Sequence, residues 1–211
     1  MKTEPSWKAS FSEWFKEYRI ETFGTVLRYG PHQLLFSSLL SPEDIGQDGW
    51  KVPCPDKAYR LGVASEKSDE VRRARALGSV SVQRSLRNAI TRESVVVSVI
   101  PYASSEDAQT RLSSVSDRMS YRHKRHHRHR EQVALGHIDV IGVSNAAALE
   151  HHCITENERL YNQVISGTVD RYLFQVLLGG YGEAPGWEFV TSLAAKQAAK
   201  IIDVLLPEVS R

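Results

Sequence analysis

Cysteine and long apolar runs are both scarce in this chain of 211 residues. Its two cysteines, Cys54 and Cys153, form no CxxC pair and no zinc-ligand spacing, and they can be two reduced thiols or one disulfide. No apolar run approaches the ~18–20 residues of a membrane span. Charges interrupt the first twenty residues, which are therefore not a signal peptide. We expect a cytoplasmic protein, or an extracytoplasmic one whose export signal has been removed.

The sequence also lacks motifs that are characteristic of a known type of enzymatic reaction. The sequence has no GxSxG, HExxH or DxD, and the glycine-rich segment 179–186 lacks both GxGxxG and GxxxxGK. The adjacent carboxylates Glu43 and Asp44 are typical of a helix N-terminus rather than of an acid/base pair. No catalytic residue, no metal site and no cofactor is predicted.

An unrecognised enzyme remains an open alternative. His151 and Cys153 can share one face of a strand, because successive side chains of a strand point to opposite faces. His152 would then lie on the other face. No oxyanion-hole motif accompanies the pair, so a buried structural cysteine is favoured. His137, His151 and Cys153 are the first residues to inspect for enzymatic chemistry.

The most unusual segment that is present is a basic run over residues 122–130. The whole chain carries a formal charge of +2 and this run alone +5, so the remainder carries −3. The positive charge is therefore local. Every residue of the run is basic or an imidazole: Arg122, His123, Lys124, Arg125, His126, His127, Arg128, His129 and Arg130.

Three interpretations of the basic run stay open. On a helix, His123 and His127 have the i, i+4 spacing of metal ligands, but the interleaved cations oppose a divalent ion. The same cations favour a polyanion, with salt-sensitive and sequence-blind binding, or an anionic lipid surface. A solvated loop or helix end is the third interpretation, and it assigns the run no partner.

Hydrophobic periodicity predicts an α+β domain from residue 93 onwards. The order is β-α-β-β-β-β-α, which favours a largely antiparallel β-sheet flanked by helices. A turn is predicted at Gly167 and Thr168. The predicted helices span 104–119, with Ser104 as N-cap, and about 187–206; the predicted strands span 93–102, 137–144, 149–156, 159–166 and 171–180.

Residues 1–33 are predicted to be an N-terminal extension, and residues 34–211 a single domain. Phe11, Trp14, Phe15 and Tyr18 recur at helical spacing in the extension and indicate a short amphipathic helix. Further on, Ser41 and Pro42 predict a single helical turn that ends at Gly46. Residues 59–63 suggest a short strand, and 68–78 a brief helix.

Four phrases in the sequence carry a resemblance to known proteins. They are "LLSPEDIGQDGW" (39–50), "SVVVSVIPYASSEDAQTRL" (94–112), "VALGHIDVIGVS" (133–144), and "GTVDRYLFQVLLGG" with the alanine-rich end of the chain (167–201). Together they resemble actinobacterial lipoproteins and the extracellular sensor-like domains of mycobacterial membrane serine/threonine kinases. The resemblance implies an antiparallel sheet flanked by helices, a groove for an unknown ligand, and no catalysis.

The function expected from the sequence is therefore a non-catalytic binding or sensor-like domain. Its partner would be a small ligand or a protein segment, and a homo-oligomer is compatible with the sequence. The alternative is an interaction protein that holds a polyanion or anionic surface through residues 122–130.

Overall fold

The computed structural model describes residues 20–22, 33–61, 80–113, 130–154 and 159–206. The predicted helices at 11–18 and 68–78, and the basic run up to His129, lie outside these described residues. The proposed division at residue 33 stays a prediction.

Nine strands and four helices make up the described part of the chain. The strands are β1 Ile20–Thr22, β2 Trp50–Lys51, β3 Lys57–Leu61, β4 Val80–Asn88, β5 Ser94–Pro101, β6 Arg130–His137, β7 Asn145–Ile154, β8 Arg159–Val169 and β9 Tyr172–Tyr181. The helices are α1 Gln33–Ser37, α2 Pro42–Ile45, α3 (residues 105–113) and α4 Trp187–Leu205. None of the described helices is long and apolar enough to cross a membrane.

All nine strands belong to one antiparallel sheet. Its order is β1-β3-β4-β5-β9-β8-β7-β6, and β2 adds to β4 off this path. From β5 onwards the chain runs β5-α3-β6-β7-β8-β9-α4, which confirms the predicted α+β class and element order. The predicted N-cap of α3 is also confirmed, since Asp107 N donates to Ser104 Oγ at 3.1 Å.

Two predicted boundaries are wrong. Residues 138–144 form a turn, with Gly142 at φ 77°, and the strand predicted there is β6, Arg130–His137. Gly167 and Thr168 lie within β8 rather than in a turn, which instead falls at Asp170, with φ 48°. Gly167 is needed in the strand because a Cβ there would lie 2.8 Å from Cζ of Phe174.

The main core lies between one face of the sheet and helices α1 and α4. On α4, Val190, Ala194 and Ile201 are fully buried, as their helical spacing predicts. They pack against inward residues of β4, β5, β8 and β9, among them the fully buried Phe174. Burying such side chains typically contributes about 1.5–3 kcal/mol each.

Two polar side chains attach the α1–α2 segment to this face. Gln197 of α4 accepts from Leu40 N at 3.1 Å and donates to Ser38 O at 2.7 Å. Arg84 of β4 donates to the Leu39 and Leu40 carbonyl oxygens, both at 3.1 Å, and forms a bidentate ion pair with Asp56 at 2.6 and 2.9 Å. Both side chains therefore satisfy main-chain groups between α1 and α2.

The predicted turn at Ser41 is confirmed as α2, with Ser41 as N-cap, Pro42 at the first position and Gly46 at φ 75°. Asp44 accepts from Ser41 N at 2.6 Å and pairs with Lys200 of α4. Partial burial by itself raises the pKa of Asp44, but hydrogen bonds from Lys200 and Ser41 outweigh it, and the pKa is lowered.

We expect Asp44 to stabilise the fold at neutral pH and to lose this contribution in acid. A carboxyl whose pKa is lowered by folding contributes fully above its unfolded value of about 3.9, and loses that contribution as the pH falls through the folded pKa. Since the side chain is 32% exposed, Asp44→Asn should lower the free energy of unfolding at neutral pH by less than about 1 kcal/mol. Urea unfolding should show this difference vanishing near pH ~2; an equal difference at both pH values would contradict the assignment.

Candidate functional site

A row of uncharged polar side chains crosses the sheet face opposite α4. We call it the polar row; its members are Gln83 of β4, Ser98 of β5, Gln175 of β9 and Ser166 of β8. Each is the direct register partner of the next, so the four lie side by side across adjacent strands. At about 4.8 Å per strand, the row is about 14 Å long.

The polar row lies on a largely covered surface between two mainly apolar register rows. Gln83, Ser98 and Ser166 are 9%, 7% and 2% exposed, and Gln175 is half-buried. The register row on one side contains Ser85, Val96, Leu177 and Val164, and the row on the other contains Ile100, Leu173 and Thr168. In the part of the chain that the structure describes, α3 packs on this face, with Ala108 and Leu112 against Ile100, Tyr102 and Leu173.

Some hydrogen-bonding groups in and beside the polar row have no partner among the described residues. Within the row, the described residues form one side-chain hydrogen bond, from Gln175 Nε2 to Ser166 Oγ at 3.0 Å. Two residues along β8, Thr168 is 1% exposed, and its hydroxyl has no hydrogen-bond partner in the structure. A buried hydroxyl without a partner costs about 1–3 kcal/mol, and proteins usually offset this cost with water or a ligand.

We expect Thr168→Val to stabilise the ligand-free protein by about 1 kcal/mol, because it replaces an unpartnered hydroxyl by a methyl group of similar shape. Ser38→Ala is the matched control, since Ser38 is fully buried and its hydroxyl donates to Leu35 O at 2.7 Å. That change should destabilise by about 1 kcal/mol. Urea denaturation measures both; equal losses in the two variants would show that the Thr168 hydroxyl is satisfied.

A second polar cluster lies at one end of the other face, where α4 begins. It is a chain of hydrogen bonds that we call the Glu150 network. Arg159 Nε donates to His152 Nδ1 at 2.6 Å, and His152 Nε2 lies 2.8 Å from Glu150 Oε1. Gln163 Nε2 donates to Glu150 Oε2 at 2.7 Å and to Pro185 O at 2.8 Å.

The Glu150 network defines the state of its imidazole ring. A guanidinium group only donates, so Nδ1 of His152 must present its lone pair to Arg159. The ring proton then sits on Nε2 and is donated to Glu150. Both ring nitrogens are thereby engaged. With a residue exposure of 5%, His152 has no nitrogen left to act as a general base on a substrate.

Tyr161 borders this network as the register partner of His152 on β8. Its hydroxyl donates to Glu93 at 2.7 Å, and burial together with this hydrogen bond raises the pKa of the phenol. The ring lies over Gly180 of β9, where an added Cβ would come within 2.6 Å of the hydroxyl oxygen. Tyr161 therefore stays a protonated donor at every physiological pH.

The residues predicted for enzymatic chemistry do not come together. His151 lies on the polar-row side of β7, with His152 on the other, as strand alternation predicts; the side chain of Cys153 lies outside what the structure describes. His137 pairs with Ala147 and Arg130 pairs with Cys153, so His137 lies six strand positions from Cys153, about 20 Å. His137 is exposed and contacts Asp139 at 3.2 Å. Among the described residues, no group of His, Cys, Asp or Glu is arranged to hold a metal ion.

The two cysteines do not form a disulfide, because Cys54 is a free thiol. Of the basic run, the structure describes the backbone of Arg130 alone, the first residue of β6. The anion-binding role of Arg122, His123, Lys124, Arg125, His126, His127, Arg128 and His129 stays a prediction outside the described residues.

Comparisons with known proteins give similar solved structures but no family. No protein-family model and no curated protein matches the chain. Among solved structures, the extracellular domain of PknH from Mycobacterium tuberculosis is similar, with 14% identity and a TM-score of 0.49. The match covers 84% of this chain and 97% of that chain.

Proposed function

We propose that this chain is a non-catalytic binding domain that holds a small, neutral, hydrogen-bonding ligand against the polar row. The observation that carries the proposal is the alignment of Gln83, Ser98, Gln175 and Ser166 in register across four strands, beside the unpartnered hydroxyl of Thr168. Amide and hydroxyl groups both donate and accept, so they suit a ligand rich in hydroxyl or amide groups.

The charge of the ligand follows from its surroundings. The four members of the polar row are uncharged, and its neighbouring rows supply valine, leucine and isoleucine together with Ser85 and Thr168. Lys57, the register partner of Gln83 at the end of the row, is exposed to solvent. A charged ligand would lose its hydration against these uncharged groups, which costs several kcal/mol unless an ion pair replaces it. A neutral ligand would satisfy the row without that cost.

The absence of catalysis is supported by the Glu150 network. It contains a buried imidazole beside a carboxylate, the pairing that general-base catalysis uses. Here the second ring nitrogen is occupied by Arg159 at 2.6 Å. The pair therefore serves the structure at the end of the sheet rather than a reaction.

Thermal unfolding with three related sugars tests the proposal. N-acetylglucosamine is neutral, glucosamine carries an ammonium group and glucuronate a carboxylate. A bound probe at ten times its Kd adds about 1.4 kcal/mol, which raises the Tm by roughly 3–6 °C for a domain of this size. We expect this rise with N-acetylglucosamine alone. Equal effects of all three sugars, or no effect of the neutral one, would contradict the proposal.

A pair of double variants locates the binding site. Gln83→Leu with Gln175→Leu removes both amides of the polar row and should abolish the rise in Tm. Gln47→Leu with Gln109→Leu makes the same chemical change at two exposed positions away from the row and should preserve it. A rise that survives the first double variant would place the ligand elsewhere.

A second candidate function is the binding of a polyanion through residues 122–130. It is supported by the position of Arg130, where the basic run enters β6, the last strand of the sheet order and so an edge strand.

DNA binding as a function of salt tests this second candidate. Lys124→Gln, Arg125→Gln and Arg128→Gln together should reduce the slope of log K against log salt by about 2.7 on duplex DNA. Lys51→Gln, Lys57→Gln and Arg92→Gln remove the same charge from exposed positions outside the run and should leave the slope nearly unchanged. Equal slopes for the two triple variants would exclude the basic run as the binding surface.

A further inference from the structure

The turn that leads into β2 contains an aspartate followed by a glycine. Asp48 is exposed, and Gly49 directly precedes Trp50, the first residue of β2. In such a pair the main-chain nitrogen of the glycine can attack the carboxyl group of the aspartate, because glycine has no side chain to hinder the approach. No other aspartate or asparagine in the chain is followed by glycine.

The fold requires glycine at position 49. Gly49 has φ 89°, in the left-handed region that residues with a side chain rarely adopt. A Cβ there would also lie 2.9 Å from Oδ1 of Asn88 and 3.1 Å from Cδ1 of Ile90. Any other residue would therefore be strained both by its backbone conformation and by these contacts. The fold thus keeps, next to Asp48, the residue that leaves its carboxyl group open to attack.

The two reacting groups are not held by the part of the chain that the structure describes. No described residue is hydrogen-bonded to Gly49 N or to the carboxylate of Asp48. The two carbonyl groups beside them are engaged: Asn88 Nδ2 donates to Asp48 O, and Ala89 N donates to Gly49 O, both at 3.1 Å. The turn is therefore anchored, while the side chain of Asp48 is free to rotate towards Gly49 N.

We propose that Asp48 is a site of spontaneous isomerisation to isoaspartate. In the first step Gly49 N forms a bond to Cγ of Asp48, the Cγ–O bond breaks, and the amide proton leaves with that oxygen as water. One water molecule then hydrolyses the five-membered succinimide ring. Addition of water at Cγ restores aspartate, whereas addition at the main-chain carbonyl carbon gives isoaspartate. The net reaction is an isomerisation that needs no oxidant, reductant or enzyme.

Isoaspartate would weaken the attachment of β2 to the sheet. The main chain would run through Cβ and Cγ of residue 48 and become one carbon longer, and the carbonyl group that Asn88 binds would leave the main chain as a carboxylate. Asn88 is 2% exposed, and its Oδ1 also accepts from Ile90 N at 2.8 Å and Thr91 N at 3.1 Å. Trp50 follows directly, is buried in the main core and pairs with Asn88 in register. A change in an exposed turn therefore reaches buried contacts.

Peptide mapping of the full chain tests the proposal after the protein has aged for weeks at neutral pH in water enriched in the heavy isotope of oxygen. Trypsin releases residues 29–51 as one peptide, and electron-transfer fragmentation distinguishes Asp48 from Asp44 within it. We expect isoaspartate at residue 48, together with the uptake of one solvent oxygen at each passage through the succinimide. Isoaspartate without solvent oxygen, or no isoaspartate at residue 48, would overturn the proposal.

Two other aspartates are internal controls in the same digest. Asp139 and Asp170 are also exposed, but Val140 and Arg171 follow them, and these side chains hinder the attacking nitrogen. Both should remain aspartate over the period in which residue 48 is converted. Equal amounts of isoaspartate at the three positions would contradict a role for Gly49.

Thermal unfolding of aged and fresh protein measures the structural consequence. The Tm of the wild type should fall by roughly 2–4 °C as isoaspartate accumulates, the shift expected for the loss of about one hydrogen bond. Asp48→Glu keeps the charge but would have to close a six-membered ring, which forms much more slowly, so its Tm should stay constant. Asp139→Glu is the matched control and should age as the wild type does. A Tm that falls equally in Asp48→Glu and in the wild type would contradict the proposal.

Discussion

Replacing Arg84 by methionine should lower the free energy of unfolding by about 3–5 kcal/mol, the usual cost of removing one partner from a buried ion pair. The guanidinium and the carboxylate of Asp56 are 17% and 20% exposed, so both are largely desolvated. The same guanidinium donates to Leu39 O and Leu40 O. Methionine fills the volume but leaves a carboxylate and two carbonyl groups without their donor.

Equilibrium unfolding in urea measures this loss. Two further variants test whether the loss comes from the contacts of the Arg84 guanidinium group. Arg84→Lys keeps the charge but cannot donate in the bidentate geometry, so it should recover only part of the stability. Arg92→Met makes the same substitution at an exposed position and should change stability by no more than about 0.5 kcal/mol. A loss at position 84 as small as that at position 92 would show that Arg84 does not hold the α1–α2 segment.

Gln197→Leu is the second change with a large expected effect, a loss of about 2–4 kcal/mol. Gln197 is fully buried, and its amide bonds to Leu40 N and Ser38 O. Leucine is close in size, so the loss comes from two buried main-chain groups that would each cost about 1–3 kcal/mol without a partner.

Calorimetric or urea unfolding of Gln197→Leu checks this expectation. Lys196→Leu alters the neighbouring residue of α4, which is exposed and donates to Asp44 O at 2.7 Å, and should cost less than about 1 kcal/mol. Near-wild-type stability for Gln197→Leu would mean that the two main-chain groups find other partners.

The fold class was predictable because local patterns of apolar and β-branched residues indicate the strands and helices. The run SVVVSVIP in β5 is β-branched and apolar, and it forms a central strand. In contrast, strand β4 could not be predicted from an apolar, β-branched pattern. Its residues on the polar-row side are Ser81, Gln83, Ser85 and Arg87, and on the core side Arg84 stands between Val82 and Leu86. An arginine there breaks the apolar alternation, because it satisfies carbonyl groups of a distant segment.

The two polar clusters could not be predicted from local patterns because the strand register assembles them. Gln83 and Ser98 meet Gln175 and Ser166 only once β5 pairs with β9, far along the chain. The Glu150 network has a weak sequence signal, since Glu150 and His152 alternate in one strand candidate, and Arg159 and Gln163 do so in the next. The sequence draws attention to His151 and Cys153 instead, and so the bonded pair of His152 and Glu150 is missed.

The side-chain amide resonances of the glutamines give the most direct test of the binding function. In an amide-labelled protein titrated with N-acetylglucosamine, the NH2 signals of Gln83 and Gln175 should shift together and saturate. The NH2 signal of Gln197 should stay in place, because its amide is engaged on the α4 side at Leu40 and Ser38. Shifts at Gln83 and Gln175 that also appear with glucosamine and glucuronate, or that are matched by Gln197, would contradict a neutral ligand held by the polar row.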